Sequence, residues 1–151
     1  MGLDAGEIAL RLGGALLAGA FIGLDREIKK RPAGLQTHSL VCLGAALAVL
    51  AVELSSPGNG DATSRAVQGI ITGIGFLGAG VIMQYERERR VEGLTTAASI
   101  WTAAALGMAC GAGHFALAGI GVAAIILVLV VGGWIESWME SRGMGNKEKQ
   151  G

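Results

Sequence analysis

Long apolar stretches separated by short clusters of charged residues run along this chain of 151 residues. Asp, Glu, Lys and Arg are absent from Pro32 to Val52, from Ala66 to Tyr85 and from Gly93 to Ile135. About 20 helical residues cross a hydrocarbon core of roughly 30 Å, so the first two stretches each predict one membrane helix and the third predicts two. The sequence GAGH at 111–114 is predicted to be the turn between those two helices.

A fifth apolar segment, Ile8 to Leu24, precedes these and contains one charged residue, Arg11. Glu7 stands one turn earlier, in the favourable acid-before-base order at i and i+4. We expect a polar and small stripe on this helix to face the other helices; it consists of Asp4, Glu7, Arg11, Gly14, Ala18 and Asp25. The stripe either lines a polar path or partner surface, or Arg11 anchors the helix at the membrane interface.

Glycine is concentrated in the uncharged stretch from Ala66 to Tyr85, whose sequence GIITGIGFLGAGVIMQY has glycine at 69, 73, 75, 78 and 80. Each glycine inside a helix costs about 1 kcal/mol relative to alanine in water. In lipid, small residues four apart let two helix backbones approach closely, and Gly69 and Gly73 have that spacing. We therefore predict a closely packed membrane helix, with its continuity through GIGFLGAG left open.

The composition agrees with this pattern, since 52% of the residues are hydrophobic and only 16% are charged. A soluble domain carries about 25% charged residues. The predicted fold class is an all-α, integral membrane bundle of about five transmembrane helices over residues 1–135, followed by a short polar tail over 136–151. We expect the first helix to be retained, because a cleaved signal starts with basic residues and this chain starts with Asp4 and Glu7.

Basic residues predict the orientation, because they stay preferentially on the cytoplasmic side of membrane helices. A periplasmic amino terminus and a cytoplasmic carboxy terminus place ten of the twelve Lys and Arg residues inside, and only Arg65 falls in an outside loop. The basic clusters at 26–31 and 87–90 also contain Glu and flank membrane segments. They indicate attraction to anionic lipid of the bilayer rather than to nucleic acid.

The sequence offers little for catalysis, cofactors or metals, and we expect no enzyme, no cofactor and no metal site. Gly73, Gly75 and Gly78 spell GxGxxG, but no strand and no alternating βαβ pattern surround them. His38 and His114 are predicted at opposite membrane faces, which disfavours zinc. Asp25 and Glu27 could attract Mg²⁺ at the inner end of helix one, but the basic residues around them favour salt bridges.

Aromatic and sulfur side chains complete the predicted bundle. Trp134 and Trp138 fit interface anchors, whereas Trp101 lies mid-helix and is predicted to pack inside the bundle. Cys42 is placed toward the inner end of helix two and Cys110 near the outer end of helix four, too far apart for a disulfide.

Four ordered motifs resemble the MgtC/SapB family: AFIGLDRE at 20–27, RPAGLQTHSLVCLGAAL at 31–47, GIGFLGAGVIM at 73–83 and GLTTAASIWTAAALGMACG at 93–111. The resemblance implies a bacterial inner-membrane protein of five helices. It also implies, by analogy with virulence members, a link to growth in low magnesium, to survival inside macrophages and to control of the F-type ATP synthase and the membrane potential. The residues it carries over for packing and partner contact are Arg26, Thr37, Gly73, Gly75, Gly78, Gly80, Gly93, Thr95, Thr96 and Trp101.

Two departures accompany the resemblance. Virulence members have Asn at the position of Thr95 and Cys at that of Thr102, and they add a soluble carboxy-terminal domain. This chain ends soon after helix five and is therefore similar to the short, SapB-like form.

Two functions remain open from the sequence. The first is a regulatory or interaction protein whose partners are other helices, in a homo-oligomer or with a membrane protein such as the F-type ATP synthase. The alternative is a small oligomeric transporter or channel for Mg²⁺ or protons, built around the stripe of helix one, with Arg11 and Asp25, and the threonine-rich face of helix four.

Overall fold

The computed structural model describes residues 3–85 and 90–142. These residues form five helices, α1 (Ala5–Ile28), α2 (Leu35–Ser55), α3 (Gly60–Val81), α4 (Leu94–Gly111) and α5 (Phe115–Ser141). Two short strands between α3 and α4, β1 (Met83–Tyr85) and β2 (Arg90–Glu92), form an antiparallel hairpin with Met83 opposite Glu92. The all-α fold and its five helices are confirmed, whereas the hairpin is a feature that the hydrophobic pattern misses.

Four of the helices, α1, α2, α4 and α5, are long and apolar enough to cross a membrane. The 24 residues of α1 extend about 36 Å at 1.5 Å per residue, which exceeds the hydrocarbon thickness. Helix α3 is not among the four, because polar residues such as Asp61 and Arg65 fill its first turns. The chain is thus a helical membrane protein.

Polar caps lengthen two helices beyond their apolar stretches. The Asp4 carboxylate accepts from the Glu7 backbone N–H at 2.7 Å, so α1 begins at Ala5 rather than Ile8. The Asn59 side chain accepts from the Ala62 N–H at 3.1 Å, so α3 begins at Gly60 rather than at the predicted residue 66. Side-chain capping of this kind satisfies N–H groups that have no partner inside the helix.

The remaining boundaries also differ from the prediction by a few residues. Helix α2 begins after the Pro-Ala-Gly segment at 32–34, and α3 ends at Val81, where the hairpin begins, after passing through GIGFLGAG as one continuous helix. The predicted turn at 111–114 is confirmed between α4 and α5. Helix α5 continues to Ser141, and residues 143–151 of the predicted tail lie outside the described residues.

The helices alternate in direction, so that α1 is antiparallel to α2 and α4, while α2 and α4 run side by side in the same direction. Gly19 of α1 lies against His38 of α2. Gly23, one turn further along α1, lies against Leu35, which is one turn earlier on α2. His38 in turn contacts Ser99 of α4. These three helices form the centre of the bundle.

Small residues bring the backbones of α1, α2 and α4 together. A Cβ on Gly107 of α4 would meet the Cys42 carbonyl oxygen, and one on Gly19 would stand 2.5 Å from the His38 carbonyl oxygen. The buried side chains between the helices are equally small or apolar; they are Ala15, Ala18, Ile22, Cys42, Ala46, Ala103, Leu106 and Cys110. Small residues in these positions allow the close van der Waals contact that holds membrane helices together.

The glycines of α3 do not have this role within one chain. A Cβ on Gly69, Gly73, Gly75 or Gly80 would have no atom within 4 Å, and one on Gly78 would be 3.7 Å from the Ala97 Cβ. The prediction that Gly69 and Gly73 bring two helices of the bundle together is therefore wrong for the single chain.

Two other expectations about buried side chains are also corrected. Trp101 is 47% exposed on the outside of α4, because its neighbour Ile100 takes the core-facing position. Cys110 lies in the last turn of α4, as predicted, but it is one turn from Gly107, the residue that contacts Cys42, so the two cysteines share one core cluster instead of lying far apart. Both thiols are free and buried.

Candidate functional site

The core-facing stripe of α1 starts and ends with an arginine. Its buried residues recur every three or four positions, as in any helix that packs along one side; they are Arg11, Ala15, Ala18, Gly19, Ile22, Gly23 and Arg26. The sevenfold stripe predicted from the sequence is partly wrong, since Asp4 is exposed and Asp25 pairs with Lys29. A straight helix drifts by about 20° per seven residues, so a sevenfold stripe leaves the buried side.

Arg11 is the centre of a compact ionic cluster, which we call the Arg11 cluster (Glu7, Arg11, Glu53 and the Gly111 carbonyl). Arg11 is only 8% exposed. Its Nε donates to Glu7 at 2.8 Å, as the i and i+4 spacing predicts, and its Nη1 donates to Glu53 at 2.6 Å and to the Gly111 carbonyl oxygen at 2.9 Å. The guanidinium thereby ties α1 to the end of α2 and the end of α4.

Glu53 is a partner that the sequence reasoning misses. It is the only acidic residue of α2 and directly follows the uncharged stretch from Pro32 to Val52. That position was a usable signal, because a lone acid at a helix end is a natural partner for the lone arginine of another helix. The pairing itself depends on the antiparallel arrangement of α1 and α2.

The second arginine, Arg26, lies in a different environment at the opposite end of the bundle. It is 4% exposed, and its Nη2 donates to the Thr96 hydroxyl of α4 at 2.9 Å. Its Nε has no hydrogen-bond partner. Among residues 3–85 and 90–142, no carboxylate forms an ion pair with it. Arg26 and Thr96 are the two sequence-predicted site residues that the fold brings into direct contact.

A chain of hydrogen bonds continues from Thr96 into α2. The Ser99 hydroxyl donates to the Thr96 carbonyl at 2.8 Å and lies 3.0 Å from Nε2 of His38, whose Nδ1 donates to the Gly34 carbonyl at 2.9 Å. His38 and Ser99 are both buried. We call Arg26, Thr96, Ser99 and His38 the Arg26 cluster. The sequence reasoning did not select His38 or Ser99, although each is a polar residue within an apolar stretch.

The other predicted site residues are spread over the surface and the helix ends. Thr37 and Thr95 are exposed in the first turns of α2 and α4. Asp25 forms a salt bridge with Lys29 at 2.8 Å, as its basic surroundings predict. Gly93 precedes α4 with a φ of 91° and lies against the Val81 carbonyl oxygen, so it needs the left-handed conformation that glycine adopts without strain.

Between the two arginines the core is apolar and closely packed, with Ala15, Ala18, Ile22 and Ala103 at or near zero exposure. In the part of the chain that the structure describes, no three or more His, Cys, Asp or Glu residues are grouped so as to hold a metal ion. The two clusters are therefore separate polar sites at the two ends of α1.

Comparison with known proteins gives consistent matches. The model of the MgtC family matches residues 12–138. Protein SrpB of Synechococcus elongatus is 44% identical over 133 residues, which cover 81% of this chain and 72% of SrpB. Protein MgtC of Salmonella typhimurium is 45% identical over 120 residues, which cover 80% of this chain and 48% of the relative. Protein MgtC of Brucella abortus is 45% identical over 117 residues, again covering 48% of the relative.

The chain thus spans about half the length of these Salmonella and Brucella relatives. No solved structure matches it. The family match covers α2, α3 and α4 in full, α1 from Leu12 onward and α5 as far as Trp138. It includes the Arg26 cluster, and it includes Glu53 and Gly111 of the Arg11 cluster but not Glu7 or Arg11. On this basis the chain belongs to the MgtC family.

Proposed function

We propose that this protein is a regulatory or interaction protein of the bacterial inner membrane, acting through contacts with other membrane helices. Its amino terminus is periplasmic and its carboxy terminus cytoplasmic in this proposal, because that orientation places most basic residues inside. The proposal includes the link to growth at low magnesium and to membrane energetics that the family resemblance implies.

The observation that carries the proposal is the close packing of α1, α2 and α4. A substrate path would need polar groups or water along its length, since ions are costly to place in hydrocarbon. Between these helices, glycine and alanine instead bring backbones into contact, as Gly107 does with Cys42. At the end of the bundle that is periplasmic in this proposal, the Arg11 guanidinium already donates hydrogen bonds to two carboxylates and a carbonyl of its own chain.

The outer surfaces of α3 and α5 support helix contacts with partners. Phe76 on α3 is 83% exposed, and Ile120 and Trp134 on α5 are 72% and 71% exposed. Gly73 and Gly80 on α3 leave open positions where another helix can approach closely. The partner is a second copy of the chain or another membrane protein, of which the F-type ATP synthase is the candidate named by the resemblance.

A deletion strain grown across a range of magnesium concentrations, with membrane potential recorded in parallel, tests the proposal. We expect slower growth and an altered potential at low magnesium, both restored by the wild-type gene. Gly73→Leu fills an open position without an intrachain clash, so we expect normal protein levels with reduced restoration. Leu117→Ala, an exposed position on α5, is the matched control and should restore growth.

Ion flux separates this proposal from the transporter alternative. Pure protein in liposomes should give no flux of Mg²⁺, H⁺ or K⁺ above that of empty liposomes. Flux that Arg11→Gln or Asp25→Asn abolishes would overturn the regulatory proposal and favour the alternative.

A further inference from the structure

The two buried arginines of α1 differ in how the chain neutralises them. Arg11 and Arg26 are 8% and 4% exposed and belong to the same helix stripe. Arg11 has two carboxylate partners and a carbonyl, whereas Arg26 has one neutral hydroxyl and an Nε without a partner. Burying a charged group is costly unless an opposite charge and hydrogen bonds compensate it. Among the residues that the structure describes, no carboxylate neutralises the Arg26 guanidinium, so its buried charge lacks the compensation that Arg11 has.

Acidic groups on the same stretch of α1 are already engaged elsewhere. The charge of Asp25 acts on Arg26, but Asp25 is paired with Lys29 at 2.8 Å. Glu27 accepts from the Leu35 backbone N–H at 3.1 Å and so caps the start of α2. The charge of Arg31 also acts on Arg26, and it adds to the positive potential.

The helix ends around Arg26 add further positive potential. Helices α2 and α4 both begin at this end of the bundle; the Glu27 carboxylate caps the start of α2, whereas α4 begins after Gly93 without a side-chain cap. A helix amino terminus carries roughly half a positive charge and exposes backbone N–H groups. Three positive features thus converge at one end of the bundle: the amino terminus of α4, the buried Arg26 guanidinium and the exposed basic residues Lys30 and Arg31.

The depth of Arg26 indicates the kind of anion. Arg26 lies two residues before the last residue of α1, Ile28, so it is at the level where a membrane helix meets the lipid headgroups. Basic pockets between membrane helices at this level bind anionic headgroups. The guanidinium presents a planar set of donors that matches the oxygens of a phosphate group.

We propose that Arg26 binds the phosphate group of an anionic phospholipid at the end of the bundle where α2 and α4 begin. Thr96 positions the guanidinium through its hydroxyl, and Lys30 and Arg31 form a basic rim that attracts the headgroup. The bound lipid supplies the negative charge that Glu7 and Glu53 supply to Arg11. This site is independent of the protein partner proposed above.

Native mass spectrometry of the purified chain in neutral detergent tests the site with three probes. The probes are phosphatidylglycerol, an uncharged galactosyl lipid with the same acyl chains, and inorganic phosphate. We expect the phospholipid to bind at least tenfold more tightly than the galactosyl lipid, since hydrogen bonds to a charged group contribute at roughly this level. Arg26→Gln should remove most of this preference, and Arg26→Lys should retain part of it.

Arg65→Gln is the matched control, because Arg65 is exposed in α3 near the opposite end of the bundle. It should leave lipid binding unchanged. If Arg26→Gln does not fold, substitutions of the exposed rim residues, Lys30→Gln and Arg31→Gln, give a second measurement. We expect each lost charge to weaken phosphatidylglycerol binding by about fivefold.

Three outcomes would overturn the proposal. The first is equal affinity for the phospholipid and the galactosyl lipid. The second is an equal loss of lipid binding in Arg26→Gln and Arg65→Gln. The third is Arg26-dependent binding of inorganic phosphate in a protein that does not bind the phospholipid, which would assign the site to a free anion.

Discussion

Replacing Gly107 by alanine should destabilise the bundle, because this residue is where α4 and α2 touch most closely. An added Cβ would meet the Cys42 carbonyl oxygen and stand 2.8 Å from both the carbonyl carbon and the Cα of Cys42. All three atoms belong to the backbone, so no side-chain rotation relieves the clash. The two helices have to move apart.

The size of the effect follows from these distances. Ordinary contacts begin at 3.4 Å, so the two carbon contacts alone require α2 and α4 to separate by at least about 0.6 Å, a gap that forfeits a quarter to a half of the van der Waals energy of each facing pair. Overpacking of this kind costs about 1–3 kcal/mol. Alanine regains about 1 kcal/mol of helix propensity. Because the clash is with backbone atoms, we take the upper overpacking cost of about 3 kcal/mol. After the gain in helix propensity is subtracted, we expect the unfolding free energy to fall by about 2 kcal/mol.

Gly73→Ala is the matched control, because it also replaces a glycine inside a helix by alanine but adds a Cβ that has no atom within 4 Å. It should be neutral or stabilise the protein by up to about 1 kcal/mol. Both variants can be heated in detergent with a thiol-reactive dye, because Cys42 and Cys110 are free and buried and react only when the core opens. A midpoint for Gly107→Ala equal to or above that of Gly73→Ala would refute the reasoning.

Three further predictions can be checked on the same chain. Arg11→Gln should lower the unfolding free energy by about 1–3 kcal/mol, less than for a fully buried pair because both carboxylate partners are over a third exposed. Its thermal midpoint should therefore fall below that of Arg65→Gln, and equal midpoints would contradict the ionic cluster. Gly93→Ala should cost at least about 1–2 kcal/mol, because φ is 91° and the Cβ would meet a carbonyl oxygen, whereas Gly80→Ala should not. With the other two tryptophans replaced by phenylalanine, Trp101 should be quenched by brominated lipid tails, and unquenched emission would show that its ring is not exposed to lipid.

The sequence predicts the elements of this fold much better than their packing. Uncharged stretches of membrane length and a glycine-containing turn at 111–114 are local features, and the helices and the turn are found where they predict them. The Glu7 to Arg11 pair is also local, since i and i+4 fix its geometry. The hairpin between α3 and α4 was missed because it lies in a charged cluster without an alternating apolar pattern.

The packing partners could not be derived in the same way. In water a buried side of a helix is apolar and an exposed side is polar, but lipid makes both sides apolar. The glycines of α3 and those of α4 therefore look alike in sequence, although only Gly107 and Gly111 lie against α2. The same reason hides the Arg26 site, because the lack of a carboxylate partner for Arg26 among the described residues depends on contacts among three helices.

The order of synthesis gives the position of Gly111 a consequence for assembly. Arg11 leaves the ribosome early and can meet Glu7 at once and Glu53 after α2 is made, but its third partner is the carbonyl at the end of α4. Until α4 has been made, the Arg11 guanidinium therefore lacks one of its three acceptors. Insertion of the fourth helix between the older ones completes its coordination, so a nascent chain stopped before residue 111 lacks the contact that closes the bundle.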